Sequence, residues 1–244
     1  NERRDPAMTQ PVLVYGVGAA GCATINFLLR RNIDVIAVDD RINETRQEEL
    51  RKLGIDVVTA PSEGELRDLI KSSMYVAPAP GIPENHPVIS AAVLQQKSLK
   101  TELDIAYEWE IERASGARPM VAVTGTDGKT TTTLMANAML RAAGLRAEAV
   151  GNTEVPLIES LSSDAQAFAI ECSSFRLEHT EQFRTQASAW LNIAPDHLDW
   201  HSSYQKYFDA KAKMWANCLP TDVVVAPIDD VNICAVARAS GARV

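Results

Sequence analysis

Residues 124–130, Thr-Gly-Thr-Asp-Gly-Lys-Thr, combine the residue types that hold a nucleoside triphosphate. An apolar run over residues 120–123 predicts a buried strand before them, and residues 134–143 predict a helix after them. In such a unit, backbone N–H groups bind phosphates, the lysine supplies positive charge and the next hydroxyl reaches Mg²⁺. The general motif has a glycine where Val123 stands, so only a tighter variant fits, and an ordinary glycine turn is the alternative. The candidate phosphate-binding residues are Gly125, Thr126, Asp127, Gly128, Lys129, Thr130 and Thr131.

A second glycine-rich turn, Gly-Val-Gly-Ala-Ala-Gly over residues 16–21, lies between a predicted strand over 12–15 and a predicted helix over 22–31. A further strand is predicted over residues 34–38, and Asp39 follows it. This βαβ pattern with an acid at the second strand end is typical of turns that bind a dinucleotide or another phosphate ligand. The pattern alone does not say that the ligand is NAD.

Two more strand ends carry side chains that bind metals. A predicted strand over residues 168–171 ends in Glu171, where a carboxylate would hold the Mg²⁺ of a nucleotide or, alternatively, cap a helix in an exposed turn. A predicted strand over residues 187–193 leads to an Asp-His-x-Asp-x-His group over residues 196–201. Such a group is typical of a metal or phosphate site, and the neighbouring carboxylates favour Mg²⁺ over zinc.

Strands and helices alternate along the chain, which predicts two α/β domains with mainly parallel sheets. The first is Rossmann-like, and the second is a P-loop-type domain. The Ala-Ser-Gly-Ala-Arg-Pro stretch over residues 114–119 reads as a linker and places the boundary near residue 117. Residues 1–10 are interpreted as an N-terminal tail or expression remnant, residues 11–117 as the first domain and residues 118–244 as the second. The remaining predicted elements are helices over 44–53, 62–71, 88–96 and 204–217, and strands over 56–59, 74–77 and 222–226.

The composition excludes several classes of protein. With 244 residues, 46% of them hydrophobic and 23% charged, the chain has an ordinary globular composition. A net charge of −8 argues against broad nucleic-acid binding. The 4 cysteines form no C-x-x-C pair, which favours a reducing, cytoplasmic location. No apolar run is long enough for a membrane helix, so we predict no membrane insertion.

Together these segments resemble the Mur ligases of peptidoglycan synthesis, from about residue 11 to the end of the chain. Residues 124–130 are similar to the family's ATP loop, although asparagine is usual where Asp127 stands. Residues 171–178, Glu-Cys-Ser-Ser-Phe-Arg-Leu-Glu, resemble a stretch typical of the D-glutamate-adding branch. Three further segments also resemble the family: residues 192–201, residues 207–211 with the lysine that is carbamylated in the family, and the Ala-Pro-Gly-Ile turn over residues 79–82.

The resemblance implies an ATP-dependent, amide-bond-forming ligase. ATP would phosphorylate the carboxylate of UDP-N-acetylmuramoyl-L-alanine, and the amine of D-glutamate would attack the acyl phosphate. By resemblance the catalytic residues are Lys129, His197 and Lys211. Two Mg²⁺ ions are implied, one held by Thr130 and Glu171 and the other by His197 and a carbamylated Lys211. The implied substrate-binding residues are Gly16, Gly18, Gly21, Asp39, Arg41, Pro80, Gly81 and Asn152.

Family members have three domains, so we expect this chain to be a fragment that ends inside the central ATPase domain. It would lack the C-terminal glutamate-binding domain, be inactive alone and expose a sheet edge. Two other functions stay open. One is an NAD-dependent oxidoreductase, which leaves Lys129, Glu171 and His197 without roles. The other is a non-catalytic UDP-sugar-binding module. The residues also leave open the choice between D- and L-glutamate and the oligomeric state.

Overall fold

The structure is a computed structural model that describes residues 10–152 and 155–244, so the predicted tail lies outside the described residues except for Gln10. The chain divides into two compact units, residues 1–100 and 101–244. Each unit contains one sheet, and all strand pairs in the described residues are parallel, which confirms the predicted α/β class. None of the described helices combines the length and the apolar character needed to cross a bilayer.

The first unit is built around a strand that is buried on both faces. That strand, Val12–Tyr15, lies inside the sheet. All four of its side chains are therefore buried, as is usual for the central strands of parallel sheets. The described elements are β1 (Val12–Tyr15), α1 (Ala19–Leu29), β2 (Val35–Asp39), α2 (Glu44–Lys52), β3 (Val57–Thr59), α3 (Glu63–Ser72), β4 (Val76–Pro78) and α4 (Pro87–Leu94). The strand order is β3-β2-β1-β4.

The glycine-rich turn joins β1 to α1 at very close range. A Cβ on Gly21 would lie 1.8 Å from the carbonyl oxygen of Gly16, so only glycine fits there. The Asp39 carboxylate, at the end of β2, accepts the N–H of Val17 at 2.6 Å and the N–H of Arg41 at 3.0 Å. The acid predicted at this position therefore links the turn to the end of the neighbouring strand.

The second unit has the strand order β6-β7-β5-β8-β9. Its described elements are α5 (Glu102–Ile111), β5 (Met120–Thr124), α6 (Lys129–Ala142), β6 (Ala147–Gly151), α7 (Leu157–Ser160), β7 (Ala167–Glu171), α8 (Ser174–Leu177), β8 (Ala187–Trp190), α9 (Tyr204–Ala212), the 3₁₀ helix η1 (Lys213–Trp215), β9 (Val223–Val225) and α10 (Val231–Ala239). Strand β5 lies between β7 and β8, so the segment that follows it emerges at the centre of the sheet's carboxyl edge.

Helix α5 belongs to the second unit, because two of its carboxylates bind segments of that unit. Glu102 forms a buried ion pair with Arg176 at 2.7 Å and accepts the N–H of Ile158 at 2.9 Å. Asp104 accepts the backbone N–H groups of residues 181–183. The structural division thus falls before α5, whereas the sequence placed the boundary near residue 117.

Arg118 fastens the end of the α5 segment to the sheet. Its guanidinium donates to both carboxylate oxygens of Glu110, at 3.1 and 2.5 Å, and its carbon lies 4.5 Å from the centre of the Phe168 ring. Burial opposes ionisation of Glu110, but the hydrogen bonds from Arg118 outweigh it and hold the carboxyl pKa below its ordinary value. The guanidinium also donates to the backbone carbonyls of Leu161, Ser163 and Ala165.

Two further expectations differ from the structure. Helix α6 begins at Lys129, not at residue 134, so the threonine run forms its first turns. The sheet edge expected to be bare carries an isolated bridge at β9, where Val224 donates to the Arg243 carbonyl at 2.9 Å and Arg243 donates to the Asp222 carbonyl at 3.0 Å, while Val223 and Val225 stay exposed.

Candidate active site

Residues 124–130, called the phosphate loop below, lead from the end of β5 into α6 at the carboxyl edge of the second sheet. Gly128 starts α6 in the left-handed region, with φ of 79°. The side-chain oxygen of Asn192, beyond the end of β8, accepts the N–H groups of Thr126 at 3.0 Å and of Asp127 at 2.9 Å. Because these two donors are taken, a phosphate at this site would have to bind the N–H groups at the start of α6, where the helix dipole also favours an anion.

Lys129 is the first residue of α6 and lies over this loop. Its ammonium donates to the carbonyl of Thr126 at 2.8 Å. The lysine therefore closes the loop on itself and places a positive charge beside the N-terminus of the helix, where it would form charge-assisted bonds to a bound phosphate. Asp127, which the sequence analysis included among the candidate phosphate-binding residues, has an exposed side chain.

Glu171 ends β7 next to the loop, and its carboxylate accepts the Thr130 hydroxyl at 2.9 Å. Its residue is 3% exposed, and among the described residues no basic side chain forms an ion pair with it. A buried carboxylate without a cationic partner is costly, and a bound cation would relieve that cost. The pair of hard oxygens from Thr130 and Glu171 fits Mg²⁺, which needs few protein ligands besides the phosphates of its nucleotide.

Lys211, on α9, is a buried lysine at the back of the loop. Its residue is 1% exposed, and its amine donates to the carbonyl of Gly125 at 2.8 Å. Burial, reinforced by the charge of Lys129, lowers the pKa of Lys211 to about 7. A substantial fraction of this amine is therefore neutral and nucleophilic at neutral pH, unlike that of an ordinary lysine.

His197 lies against an aromatic cluster. Its backbone has φ of 52°, an uncommon conformation for histidine, and its N–H is held by the Asp196 carboxylate at 2.8 Å. The ring centres of His197 and Phe175 are 4.8 Å apart, and Tyr207 lies 6.3 Å from His197. The amine of Lys211 lies 4.6 Å from the centre of the same tyrosine ring, so the two residues implied for the second metal share one neighbour.

His201 does not join His197 in the metal cluster that the sequence suggested. Its buried ring contacts the Ser174 hydroxyl through Nε2 at 2.9 Å and approaches the Glu178 carboxylate through Nδ1 at 3.4 Å. In the parts of the chain that the structure describes, no three His, Cys, Asp or Glu side chains converge on a common metal position. We interpret His201 as a structural link between α8 and the loop that carries His197.

Asn152 follows β6, and its N–H donates to the carbonyl of Glu171 at 3.0 Å. The residue is exposed and stands beside the buried carboxylate at the same edge of the sheet. The second unit thus brings together Asn152, Glu171, the phosphate loop and Lys211, which the sequence predicted as separate segments.

The predicted substrate-binding residues of the first unit lie at the carboxyl edge of its own sheet. Gly16 and Gly21 are buried in the turn, while Gly18 is exposed at the N-terminus of α1. Arg41 is exposed after β2. Pro80 and Gly81 form a turn after β4 that is closed by a bond from the Ile82 N–H to the Ala79 carbonyl at 3.0 Å.

One cluster in the first unit was missed by sequence reasoning. Asp40 contacts Tyr15 and His86, which come from two other segments of the chain. The signal available in the sequence was only the doubled acid at the end of β2.

Comparison with known proteins matches both units to models of one family. The family model described as "Mur ligase middle domain" matches residues 123–244, half of the chain, and the model "Mur ligase MurD-like, N-terminal domain" matches residues 10–99. The UDP-N-acetylmuramoylalanine--D-glutamate ligase of Frankia casuarinae is 36% identical over 240 residues, which covers 96% of this chain and 49% of that protein. The protein of the same name from Thermus thermophilus is 34% identical and covers 95% and 52%.

The chain thus spans about half the length of these curated relatives, at 49% and 52%.

Solved structures support the fold at lower sequence identity. The UDP-N-acetylmuramate:L-alanyl-gamma-D-glutamyl-meso-diaminopimelate ligase from Neisseria meningitides superposes with a TM-score of 0.58 at 16% identity, covering 95% of this chain and 75% of that one. The UDP-N-acetylmuramate-alanine ligase from Thermotoga maritima gives 0.51 at 22%, covering 93% and 51%.

Proposed function

The chain belongs to the Mur ligase family, and from that membership we propose that it forms the substrate- and ATP-binding part of a D-glutamate-adding ligase of peptidoglycan synthesis. The reaction would join D-glutamate to UDP-N-acetylmuramoyl-L-alanine through an acyl phosphate, in the cytoplasm. The observation that carries the proposal is the arrangement of the phosphate loop with Glu171, whose carboxylate lies 2.9 Å from the Thr130 hydroxyl. The names of the relatives support the choice of amino acid and acceptor.

The residues of the second unit have distinct roles in this proposal. The N–H groups at the start of α6 and the ammonium of Lys129 would bind and orient the phosphates of ATP. Thr130 and Glu171 would hold one Mg²⁺, and His197 with a carbamylated Lys211 would hold a second. When bound, Mg²⁺ supplies positive charge that offsets the charge developing on the transferred phosphoryl group. Asn152, beside Glu171, would contact the acceptor.

The first unit would bind the UDP part of the acceptor. The turn between β1 and α1 would approach the diphosphate, with Gly18 exposed at the helix N-terminus. Asp39 already uses both carboxylate oxygens to hold Val17 and Arg41, so we assign it the role of fixing the turn. The exposed guanidinium of Arg41 would then be available to contact phosphate.

Calorimetric titration of the chain with UDP-N-acetylmuramoyl-L-alanine tests this proposal. We expect saturable binding of the UDP-sugar and none of NADH, because the turn would serve a uridine nucleotide. Arg41→Ala should weaken binding about tenfold, the usual loss for one charge-assisted contact to phosphate. Arg51→Ala, at another exposed arginine on α2, should bind as the unchanged chain does. Binding of NADH without the UDP-sugar would overturn the proposal in favour of an oxidoreductase.

Carbamylation of Lys211 is a separate expectation. The neutral amine would attack CO₂, forming an N–C bond and releasing one proton. The product keeps one N–H, so the bond to the Gly125 carbonyl can persist. Its two carbamate oxygens, which share one negative charge, become available to a hard cation. With ¹³C-bicarbonate, we expect a carbamate resonance that grows from pH 6 to pH 8, because the pKa of about 7 leaves more neutral amine as pH rises and the released proton is taken up, which together outweigh the falling share of dissolved CO₂.

The matched variants are Lys211→Arg, which keeps a cation but cannot form the carbamate, and Lys206→Arg on the exposed face of α9. The resonance should vanish in the first variant and persist in the second. A resonance that survives in Lys211→Arg would show that another amine is modified. No resonance in the unchanged chain would contradict the expectation directly.

A further inference from the structure

Asp40 lies at the centre of a polar cluster on the carboxyl edge of the first sheet. One carboxylate oxygen accepts the Tyr15 hydroxyl at 2.6 Å, and the other lies 3.0 Å from Nε2 of His86. The rings of Tyr15 and His86 meet edge to face, with centres 5.0 Å apart. Asp40 therefore joins the end of β1 to the segment that begins α4, where His86 lies 46 residues after Asp40 in the chain.

The hydrogen bonds fix the protonation pattern of the cluster. Nδ1 of His86 accepts the N–H of Val88 at 3.2 Å and so caps α4. In the neutral ring, Nδ1 is therefore the acceptor, and Nε2 carries the proton and donates to Asp40. Partial burial tends to raise the pKa of Asp40, but the bonds from Tyr15 and His86 outweigh it, and the pKa stays below its ordinary value. Both bonds are therefore charge-assisted at neutral pH.

The cluster connects the three segments assigned to substrate binding in the first unit. Tyr15 directly precedes the glycine-rich turn, and its carbonyl accepts the N–H of Ala79 at 2.8 Å, where the Pro-Gly turn begins. Asp40 stands between Asp39 and Arg41. His86 follows the Pro-Gly turn and caps the next helix. A single carboxylate thus bridges these three segments.

We propose that Asp40 is a positioning residue for nucleotide-sugar binding, which sets the spacing of the glycine-rich turn, the end of β2 and the segment after the Pro-Gly turn. This rests on the proposed function of the first unit. Asp40 need not touch the ligand to act in this way. Its side chain is 53% exposed, so it adds little to global stability, and its removal should change the site more than the fold.

The test compares three variants by calorimetric titration with UDP-N-acetylmuramoyl-L-alanine and by thermal unfolding. Asp40→Ala removes both bonds and should raise the Kd about tenfold, with an unfolding midpoint within about 3 °C of the unchanged chain. Asp40→Asn can rebuild both bonds, since its oxygen can accept from His86 and its N–H can donate to the Tyr15 oxygen. It should restore the Kd to within about twofold. Asp56→Ala, at an exposed acid before β3, should change nothing.

The outcomes distinguish a failure of this proposal from a failure of the function on which it rests. If the unchanged chain binds and Asp40→Ala binds equally well, positioning by Asp40 is overturned while the function stands. If Asp40→Asn binds as weakly as Asp40→Ala, the charge matters and not the spacing, which also overturns the proposal. If the unchanged chain fails to bind the UDP-sugar, both ideas fall together.

Discussion

The Lys129→Ala variant is expected to lose at least about a hundredfold in affinity for MgATP, which corresponds to roughly 3 kcal/mol. The ammonium lies over the phosphate loop, where it donates to the Thr126 carbonyl at 2.8 Å beside the N-terminus of α6. A triphosphate offers several anionic oxygens to that ammonium, so more than one charge-assisted bond is lost. Alanine is a good helix former, so α6 should still begin in the same place.

Fluorescence titration with an ATP analogue, in the presence of Mg²⁺, measures this loss. Lys52→Ala, at an exposed lysine on α2, should bind like the unchanged chain. Binding of the UDP-sugar provides an internal control, because the first unit should bind it whether or not Lys129 is present. If Lys129→Ala binds MgATP within a factor of three of the unchanged chain, the segment is an ordinary glycine turn and the assignment of the ATP site fails.

The Arg118→Ala variant is expected to lose about 3 kcal/mol of unfolding free energy in the second unit, because it leaves the buried Glu110 carboxylate with only the partly exposed Arg113, at 3.4 Å, as a cationic partner. Glu110 is 1% exposed, and Arg118 supplies hydrogen bonds to both of its oxygens. The same change removes the contact with the Phe168 ring and leaves carbonyl groups of a neighbouring segment without a donor. Urea unfolding followed by tryptophan fluorescence measures the effect.

Two controls separate the buried charge from general damage. Arg146→Ala breaks an ion pair with Asp164 whose side chains are 61% and 85% exposed, so its effect should stay within about 0.5 kcal/mol. The double variant Arg118→Met with Glu110→Leu removes both charges and should recover part of the loss. A loss below about 1 kcal/mol in Arg118→Ala would show that α5 is not held to the second sheet by this pair.

The same contacts bear on where the domains divide. We propose, from the contacts of α5, that a piece starting at Thr101 contains the whole second unit. A piece starting at residue 118 would lack the partners of Arg176 and Arg118. The sequence suggested a boundary near residue 117 because the Ala-Ser-Gly-Ala-Arg-Pro stretch has the composition of a linker. Composition reports local flexibility, but the contacts of Glu102 span 74 residues to Arg176 and leave no local trace.

The segment over residues 124–130 could be proposed as a phosphate site from the sequence because its chemically relevant residues are contiguous. The start of α6 was predicted too late, because a run of four threonines is an unfavourable helix opening by propensity alone. In the structure, Gly128 turns the chain into the helix, and Thr133 is fully buried on it. Tertiary packing therefore overrides a propensity that is worth only a fraction of a kcal/mol per residue.

The pairing of side chains across strands was predictable only in part. Because Glu171 ends β7 and Thr130 lies at the start of the helix after the neighbouring strand β5, their meeting at one sheet edge follows from topology. The separation of His201 from His197 could not be foreseen, since both follow the same strand and only the fold turns one of them toward Ser174. Asp40 was overlooked because its partners lie 25 and 46 residues away, while the family pattern draws attention to Asp39.

Asn192 has a consequence for the speed of nucleotide capture. Its side chain holds the N–H groups of Thr126 and Asp127 and also donates to the Asp127 carbonyl at 3.2 Å, so the loop has its shape before any ligand arrives. A triphosphate binding here would meet a preformed cradle, so little conformational entropy would be lost on binding. Association should accordingly be a single encounter step whose rate rises linearly with nucleotide concentration, without the plateau that a slow loop rearrangement would impose.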